Sequence, residues 1–500
     1  MMIIIVLAAF GVLVLLLAVY GYKVSAKTAE DYMLAGRGIG IAVMFFFALF
    51  AISSVWTFYA YPSILYRHGP GFVYFIWGCV AGFVILYMFI GPRLWAVCRL
   101  NRFLSPIEAL AARYESPVLR LIVAIVLLGS IIPYIADQSL GVGLGLKAML
   151  GFPPVVGILY ISLLLILIVM LGGMRITAWV NVLLGSIYTL AFLGSLVFII
   201  SKVFPGGLSE AVTILKTKQP ALLTTPGPEG LFRPAVTSIV FLVGALAFTW
   251  PHIVISTMTA QDKTIFKWMP ALALIVAGLL FYTIPFIWGS LVAPAISHMS
   301  GTLVPPVSGK DADNIVQMII SAYLPPWFSI FVLMGVIAAA ISTAAVQLMT
   351  ASIIVARDVI HGLFVPQSSD QFLIRTTKLS VIAILLLSMG IAFWYPVELA
   401  QYLVGIAIPG FAQWAPCLVG GILWKRATKE GAVSGIVAGS VYLVVGFIYR
   451  PALFGLHPAI PTLFINVTLF VVVSLLTSAP GDTVIRMFFD EVEDFLSKKA

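Results

Sequence analysis

Two adjacent hydroxyls, Ser342 and Thr343, stand inside the run Ala338-Ala339-Ala340-Ile341-Ser342-Thr343-Ala344-Ala345. Sodium is a hard cation that prefers oxygen ligands. Joined by carbonyls from a broken helix, the two hydroxyls would form a site with no formal charge. The plainer reading is a run of small residues that lets another helix come close. A second cluster, Ala51-Ile52-Ser53-Ser54-Val55-Trp56-Thr57-Phe58, is followed by Pro62. Its hydroxyls either bond back to the preceding turn and bend the helix, or mark a discontinuous helix whose freed carbonyls can hold a cation. A third is Asp137-Gln138, an acid in an apolar stretch. Such an acid can bind a cationic group, carry a proton, pair with a basic residue of another segment, or snorkel towards an interface. His252 follows Pro251, a helix-kinking residue, and reads equally as a packing residue or a relay. Asn181 is open in the same way.

These clusters need a non-aqueous setting to carry weight, and the composition supplies one. The 500 residues are 62% hydrophobic and 9% charged, against about 25% charged in ordinary soluble domains. Lipid is therefore the solvent for most of the chain, and a water-soluble enzyme is excluded. The net charge of +9 needs no nucleic acid, because Lys and Arg gather on cytoplasmic loops of membrane proteins. Cys79, Cys98 and Cys417 form no C-x-x-C pair, so neither a disulfide framework nor a zinc site is indicated. No G-x-x-x-x-G-K-[ST] occurs, and no aqueous segment is large enough for a nucleotide domain. Energy must come from an ion gradient, from the solute gradient itself, or from a separate subunit.

A span needs roughly 20 mostly apolar residues. Thirteen candidates lie at 2–22, 39–65, 71–92, 117–146, 153–172, 178–202, 235–258, 267–296, 326–356, 378–396, 398–423, 431–449 and 459–478. They are called spans 1 to 13 below. The first is too long for a signal peptide and is read as retained. Of 28 Lys and Arg, only Arg67, Lys147, Lys202, Lys216, Lys218, Arg233, Lys310 and Arg450 fall on one set of alternate loops. The richer set is cytoplasmic, so the N-terminus is expected outside and the C-terminus inside. Segments 203–234 and 297–325 read as surface loops. The tail at 482–497 spaces Val484, Ile485, Phe488, Phe489, Val492, Phe495 and Leu496 helically, which suggests an amphipathic helix on the inner leaflet or else a frayed end.

Five short stretches resemble, in order, motifs of the sodium:solute symporter family, over residues 30–440. Glu30 to Arg37 resembles its D-Y-x-x-[AG]-G-R signature, and Gly172-Gly173-Met174-Arg175 its G-G-[ML]-[KR] turn. Ala339 to Gln347 with Arg357-Asp358 resembles A-A-x-x-S-T…A-R-D. Gln413-x-x-Pro416 and Trp424-Lys425-Arg426-Ala427-Thr428-x-x-Gly431-Ala432 resemble the block between spans 11 and 12. The resemblance implies an all-α polytopic membrane protein of the inverted-repeat, LeuT-like fold. Spans 2–6 and 7–11 would be two five-helix repeats, with spans 2 and 7 broken at the midplane where substrate and ion bind. Spans 1, 12 and 13 would be peripheral. This divides the chain into 1–38, a transport core at 39–424, two outer helices at 425–480 and a tail at 481–500.

Carried over by motif, the sodium ligands would be the carbonyls of Phe50, Ser53 and Ala339 and the hydroxyls of Ser342 and Thr343. Some members hold a second sodium with an acid in the sixth span and serines after the hydroxyl pair. Those positions here are Asn181, Ala345 and Val346, so one sodium per cycle is expected. Substrate is expected beside the break of span 2, at Ser54, Trp56 and Thr57, with Asp137, Gln138 and His252 completing the pocket. Trp250-Pro251-His252, Thr259-Ala260-Gln261-Asp262, Ile265-Phe266-Lys267 and Pro133-Tyr134-Ile135 resemble monocarboxylate permeases, which points to lactate or pyruvate. Asp137 would repel such an anion unless protonated or paired. An amino acid such as proline, whose amine could meet Asp137, is the alternative. A proton-coupled carrier using Asp137 or His252, or a sensor or channel on the same fold, are further possibilities. The expected location is the plasma membrane.

Overall fold

The structure is a computed structural model that describes residues 2–24, 28–394, 405, 407–449 and 457–498. It is all-helical: among the described residues, the extended pairing is limited to an isolated bridge between Ile39 and Ala260. Among the described residues, nine helices are long and apolar enough to cross a membrane, or eleven when two bent pairs are each counted as one span. The stretch Pro154–Val203, at 50 residues, would run about 75 Å if straight, more than twice a hydrocarbon core. It holds expected spans 5 and 6, divided at Gly173 (φ 57°, ψ −156°), a conformation open to glycine. Span 11 is the shorter apolar helix Ile408–Leu423. Its expected start, residues 398–404 and 406, lies outside the described residues, as do 395 and 396 of span 10. Helix thus occupies most of the described part of every expected span, with breaks inside spans 2 and 7.

The helix boundaries follow local chemistry. Pro117, Pro154, Pro234, Pro251 and Pro326 each open a helix, where a missing N–H costs nothing. Ser116 caps span 4 by accepting from the Leu119 N–H at 3.1 Å. Span 2 divides into Ile41–Phe50 and Val55–His68, bent by 67°, and span 7 into Pro234–Thr249 and Pro251–Met258, bent by 43°. The start of span 2 and the end of span 7 are joined, Ile39 N–H to Thr259 C=O at 3.1 Å and Gln261 N–H to Ile39 C=O at 3.0 Å. Span 9, Pro326–Phe364, is the axis: its most apolar window is 94% buried, against 22% for span 1 and 28% for spans 12 and 13.

Three expectations change. Segment 203–234 contains the helix Leu208–Lys218, and segment 297–325 contains Ile315–Tyr323. Both are short and packed at the rim, below the length that hydropathy detects. The tail does form helix over Asp482–Ser497, but its apolar face is not left for lipid. Val484, Phe488, Phe489 and Val492 are buried in the protein. Phe495 meets the Trp95 ring at 5.6 Å, and Glu493 pairs with Arg93 at 3.1 Å.

Spans 3 and 7 cross through glycine. A Cβ on Gly78 would stand 2.1 Å from the Phe241 carbonyl oxygen, and one on Gly244 would stand 2.2 Å from that of Phe75. Gly129 in span 4 has nothing within 4 Å. Gly78→Ala is therefore expected to destabilise by about 1–3 kcal/mol through overpacking. Gly129→Ala should be neutral or stabilising by up to about 1 kcal/mol, the ordinary helix preference. Thermal unfolding of the purified protein in detergent checks both signs.

Candidate ion and solute site

The break in span 2 exposes backbone groups that the hydrocarbon cannot satisfy, and neighbouring spans supply the partners. Ser342 and Thr343 of span 9 are fully buried. The Ser342 hydroxyl lies 3.0 Å from the Phe50 carbonyl oxygen and 2.8 Å from that of Ala339. The Thr343 hydroxyl donates to the same Phe50 carbonyl at 3.1 Å. Four of the five expected sodium oxygens therefore already converge. Ser53 sits at the same break, its hydroxyl donating to Leu49 C=O at 2.8 Å. Among the described hydrogen bonds none ends on its carbonyl. The set is neutral, buried and made of oxygen, which suits a monovalent hard cation. An ion would take the lone pairs that the two hydroxyl protons now occupy.

Beyond the break the chain restarts at Val55. Ser54 caps this half-helix, its hydroxyl accepting from the Trp56 N–H at 3.2 Å. The Val55 N–H is satisfied from span 4, by the Gln138 side-chain oxygen at 3.2 Å. Asp137 lies more than a dozen residues from either end of Pro117–Leu150 and is 5% exposed, so it does not snorkel. Its described contact is the Gln138 amide at 3.5 Å, and among the described residues no cation pairs with it. It also lies within electrostatic reach of Asp313, which accepts from the Ser63 hydroxyl at 2.8 Å.

Span 7 breaks because Pro251 has no N–H and pushes Trp250 out of the helical region, to φ −66° and ψ 116°. The freed Thr249 carbonyl accepts from the Trp414 indole of span 11 at 2.7 Å. His252 is buried among the rings of Trp250 (5.9 Å), Tyr134 (6.1 Å) and Phe411 (6.3 Å). Within hydrogen-bond geometry its nitrogens meet no described partner, and the Ala51 backbone lies close by. Trp56 stacks on Tyr61 at 5.8 Å and against Phe75 at 5.5 Å. It packs against span 3. Thr57 is buried one turn into the same half-helix.

The model of the sodium:solute symporter family matches residues 32–439. The chain belongs to that family. As a member it is a sodium-coupled solute symporter of the membrane and not an enzyme. Relatives share its full length. The symporter YhjB of Bacillus subtilis, itself uncharacterised, is 26% identical over 94% of this chain and 96% of its own. The sodium/pantothenate symporter of Escherichia coli is 25% identical over 96% and 98%. The osmoregulated proline transporter OpuE of Bacillus subtilis is 24% identical over 99% of both. Among solved structures, the outward-open, substrate-bound sodium-coupled sialic acid symporter superposes with a TM-score of 0.83. It is 22% identical and covers 96% of this chain and 98% of that one. The nucleobase-cation-symport-1 transporter MHP1 superposes at 0.58, with 15% identity over 93% and 98%. These confirm the inverted-repeat fold. The proline and pantothenate relatives give no support to the monocarboxylate branch that the span 7 motifs suggested.

The symporter's sequence hid two groups near the site. Tyr134 of span 4 bridges towards Trp250 at 6.4 Å and to His252, and only its place in a short motif signalled it. Gln347, one turn after Thr343, is wholly buried, and neither amide atom has a partner among the described residues. A full amide in so apolar a span was the available signal. At the position of the second sodium's acid, Asn181 donates to Phe47 C=O at 3.4 Å, while Ala345 and Val346 offer no side-chain oxygen. Gln138→Leu strips the acceptor from a buried N–H and is expected to destabilise by about 1–3 kcal/mol. Amide exchange at Val55 should accelerate while that at Trp56, capped by Ser54, stays slow.

Proposed function

We propose that this symporter carries a small carboxylate-bearing solute with an amine, such as proline or another amino acid, together with one sodium ion per cycle. Asp137 carries the solute assignment. It is a buried carboxylate beside a helix break, and no described cation pairs with it. A buried unpaired charge is costly, and a solute amine would compensate it. The half-helix start at Val55 presents its positive dipole end to a carboxylate. Relatives named for proline and pantothenate and a neighbour named for sialic acid all concern carboxylic acids, which supports the anionic half of the reading. Lactate or pyruvate would satisfy that half and leave Asp137 unmatched.

The sodium site proposed is Phe50, Ser53, Ala339, Ser342 and Thr343. It joins span 2 to span 9, so the ion is bound best in the state that holds these spans together. An ion biases an equilibrium only through such differential affinity. Sodium stabilises the outward-open form, the solute binds at Ser54, Trp56, Thr57, Asp137, Gln138 and His252, and inward opening parts the two spans. Asn181 brings no charge to the second sodium's position and Ala345 and Val346 bring no hydroxyl, which supports a single ion. The end of the molecule bearing Arg93, Arg113, Arg120 and Arg357 faces the cytoplasm of the plasma membrane, with the N-terminus outside.

Uptake of labelled proline, lactate and pyruvate into proteoliposomes, under an inward sodium gradient against a choline control, tests the reading. Sodium-driven accumulation of proline is expected. Ser342→Ala and Thr343→Ala should each weaken sodium stimulation about tenfold or more, ~1.4 kcal/mol. Asp137→Asn should abolish uptake of the amine-bearing solute. Accumulation of lactate or pyruvate instead would remove Asp137 from amine binding. Uptake driven by a proton gradient alone would reduce the hydroxyl pair to packing.

A further inference from the structure

At the end of the molecule, away from the helix breaks, the short helix Pro106–Arg113 finishes on an arginine that is 1% exposed. Arg113 Nε donates to Gly421 C=O at 3.0 Å, and Nη2 donates to Trp424 and Lys425 C=O at 3.1 and 3.2 Å. Its guanidinium lies over the rings of Tyr114 and Phe489, at 5.4 and 5.6 Å. Nη1 is buried and bonded to nothing described. Carbonyls and rings ease the burial of a cation without neutralising it, and among the described residues no carboxylate pairs with Arg113. A buried charge without a counter-ion is costly.

Arg113 forms one wall of a cavity of about 330 Å³ whose other walls include Tyr114, Thr428, Lys429 and Ser478. The 21-residue helix Lys429–Tyr449 starts at this cavity. Its first-turn N–H groups have no helical acceptors and make an anion-binding end. Thr428 takes one of them, the Gly431 N–H, at 3.3 Å. Glu115 and Glu430 also border the space, so a bound anion must be held by several donors at once. We propose that this cavity binds a phosphate group, with the Arg113 guanidinium, the Lys429 ammonium and the start of span 12 as its donors. A phospholipid headgroup and free inorganic phosphate share that chemistry. Leu475 and Leu476, just before the cavity-lining Ser478, are 57% and 80% exposed and offer acyl chains a path. Occupancy would brace the tail helix, because Phe489 rests on Arg113.

The test uses the purified full chain in neutral detergent, by native mass spectrometry and thermal unfolding. The probes are phosphatidylglycerol, phosphatidylcholine and inorganic phosphate. Lys429→Glu alters an exposed side chain and leaves the Arg113 caps intact, so it should fold. Expected are binding about tenfold weaker than wild type in Lys429→Glu, tighter binding in Glu430→Gln, and a rise in melting temperature on binding that Arg113→Gln loses. Preference for phosphatidylglycerol over phosphatidylcholine, with that variant order, assigns a lipid headgroup. The same order with inorganic phosphate alone assigns the free anion. Binding by neither probe, or binding unchanged in Lys429→Glu, overturns the proposal.

Discussion

A break in a helix that crosses hydrocarbon leaves backbone groups with nowhere to bond, each at a cost of several kcal/mol. Two such breaks sit at the centre of this molecule, and the surrounding spans are arranged to satisfy them. Gln138 of span 4 reaches the Val55 N–H, and Ser342 and Thr343 of span 9 reach the Phe50 carbonyl. Trp414 of span 11 reaches the Thr249 carbonyl. Each partner comes from a different span, so the breaks can exist only when the bundle is assembled. That dependence explains why span 9 is the most buried helix, and why its central residues are small enough to let span 2 approach.

The same arrangement would make the breaks responsive to an ion at the proposed site. The oxygens that close the gap between spans 2 and 9 are neutral and are held together only by hydroxyl protons. A cation at that point replaces two hydroxyl donations with ion–oxygen contacts from both spans. Separation of the spans dismantles the set from either side, whereas the carbonyl of Ala339 and the hydroxyl of Ser342 stay together on one helix. At the proposed site, a preference of the ion for one global state would follow from ligands divided between two helices. A site built on span 9 alone would bind sodium and couple it to nothing.

Much of this was legible in the sequence, and for physical reasons. Hydropathy marks spans because the bilayer imposes a length, and hydroxyls within apolar runs stand out because burying them has a cost. The breaks were signalled by Ser53-Ser54 with Thr57, and by Pro251. Short helices such as Leu208–Lys218 and Pro106–Arg113 escaped because they are amphipathic and below spanning length. The tail's apolar spacing was read as lipid-facing, since periodicity marks a face to be buried without naming what buries it. The protein does so, with Arg113, Trp95 and Lys425 meeting Phe489 and Phe495. The solute motifs have a second explanation, because Trp250-Pro251-His252 is largely accounted for by the break itself. Pro251 makes it, and Trp250 and His252 fill an aromatic box around it.

The ion pairs differ in burial from one junction to the next. Asp358, fully buried, accepts from Ser105 at 2.6 Å and pairs with Arg120 at 3.3 Å. Glu108 takes Arg357 at 2.5 Å beside it. These pairs fasten the starts of span 4 and the short helix before it to the end of span 9, a frame in which breaking one partner strands a buried charge at several kcal/mol. The pairs that tie the tail to spans 3 and 11, Arg93–Glu493 and Lys425–Asp490, have at least one half-exposed partner each. Exposed pairs contribute about 0–1 kcal/mol, so they can form and release within a transport cycle. Buried ionic joints hold the frame, exposed ones tie the tail to it, and the oxygens gathered at the span 2 break are neutral.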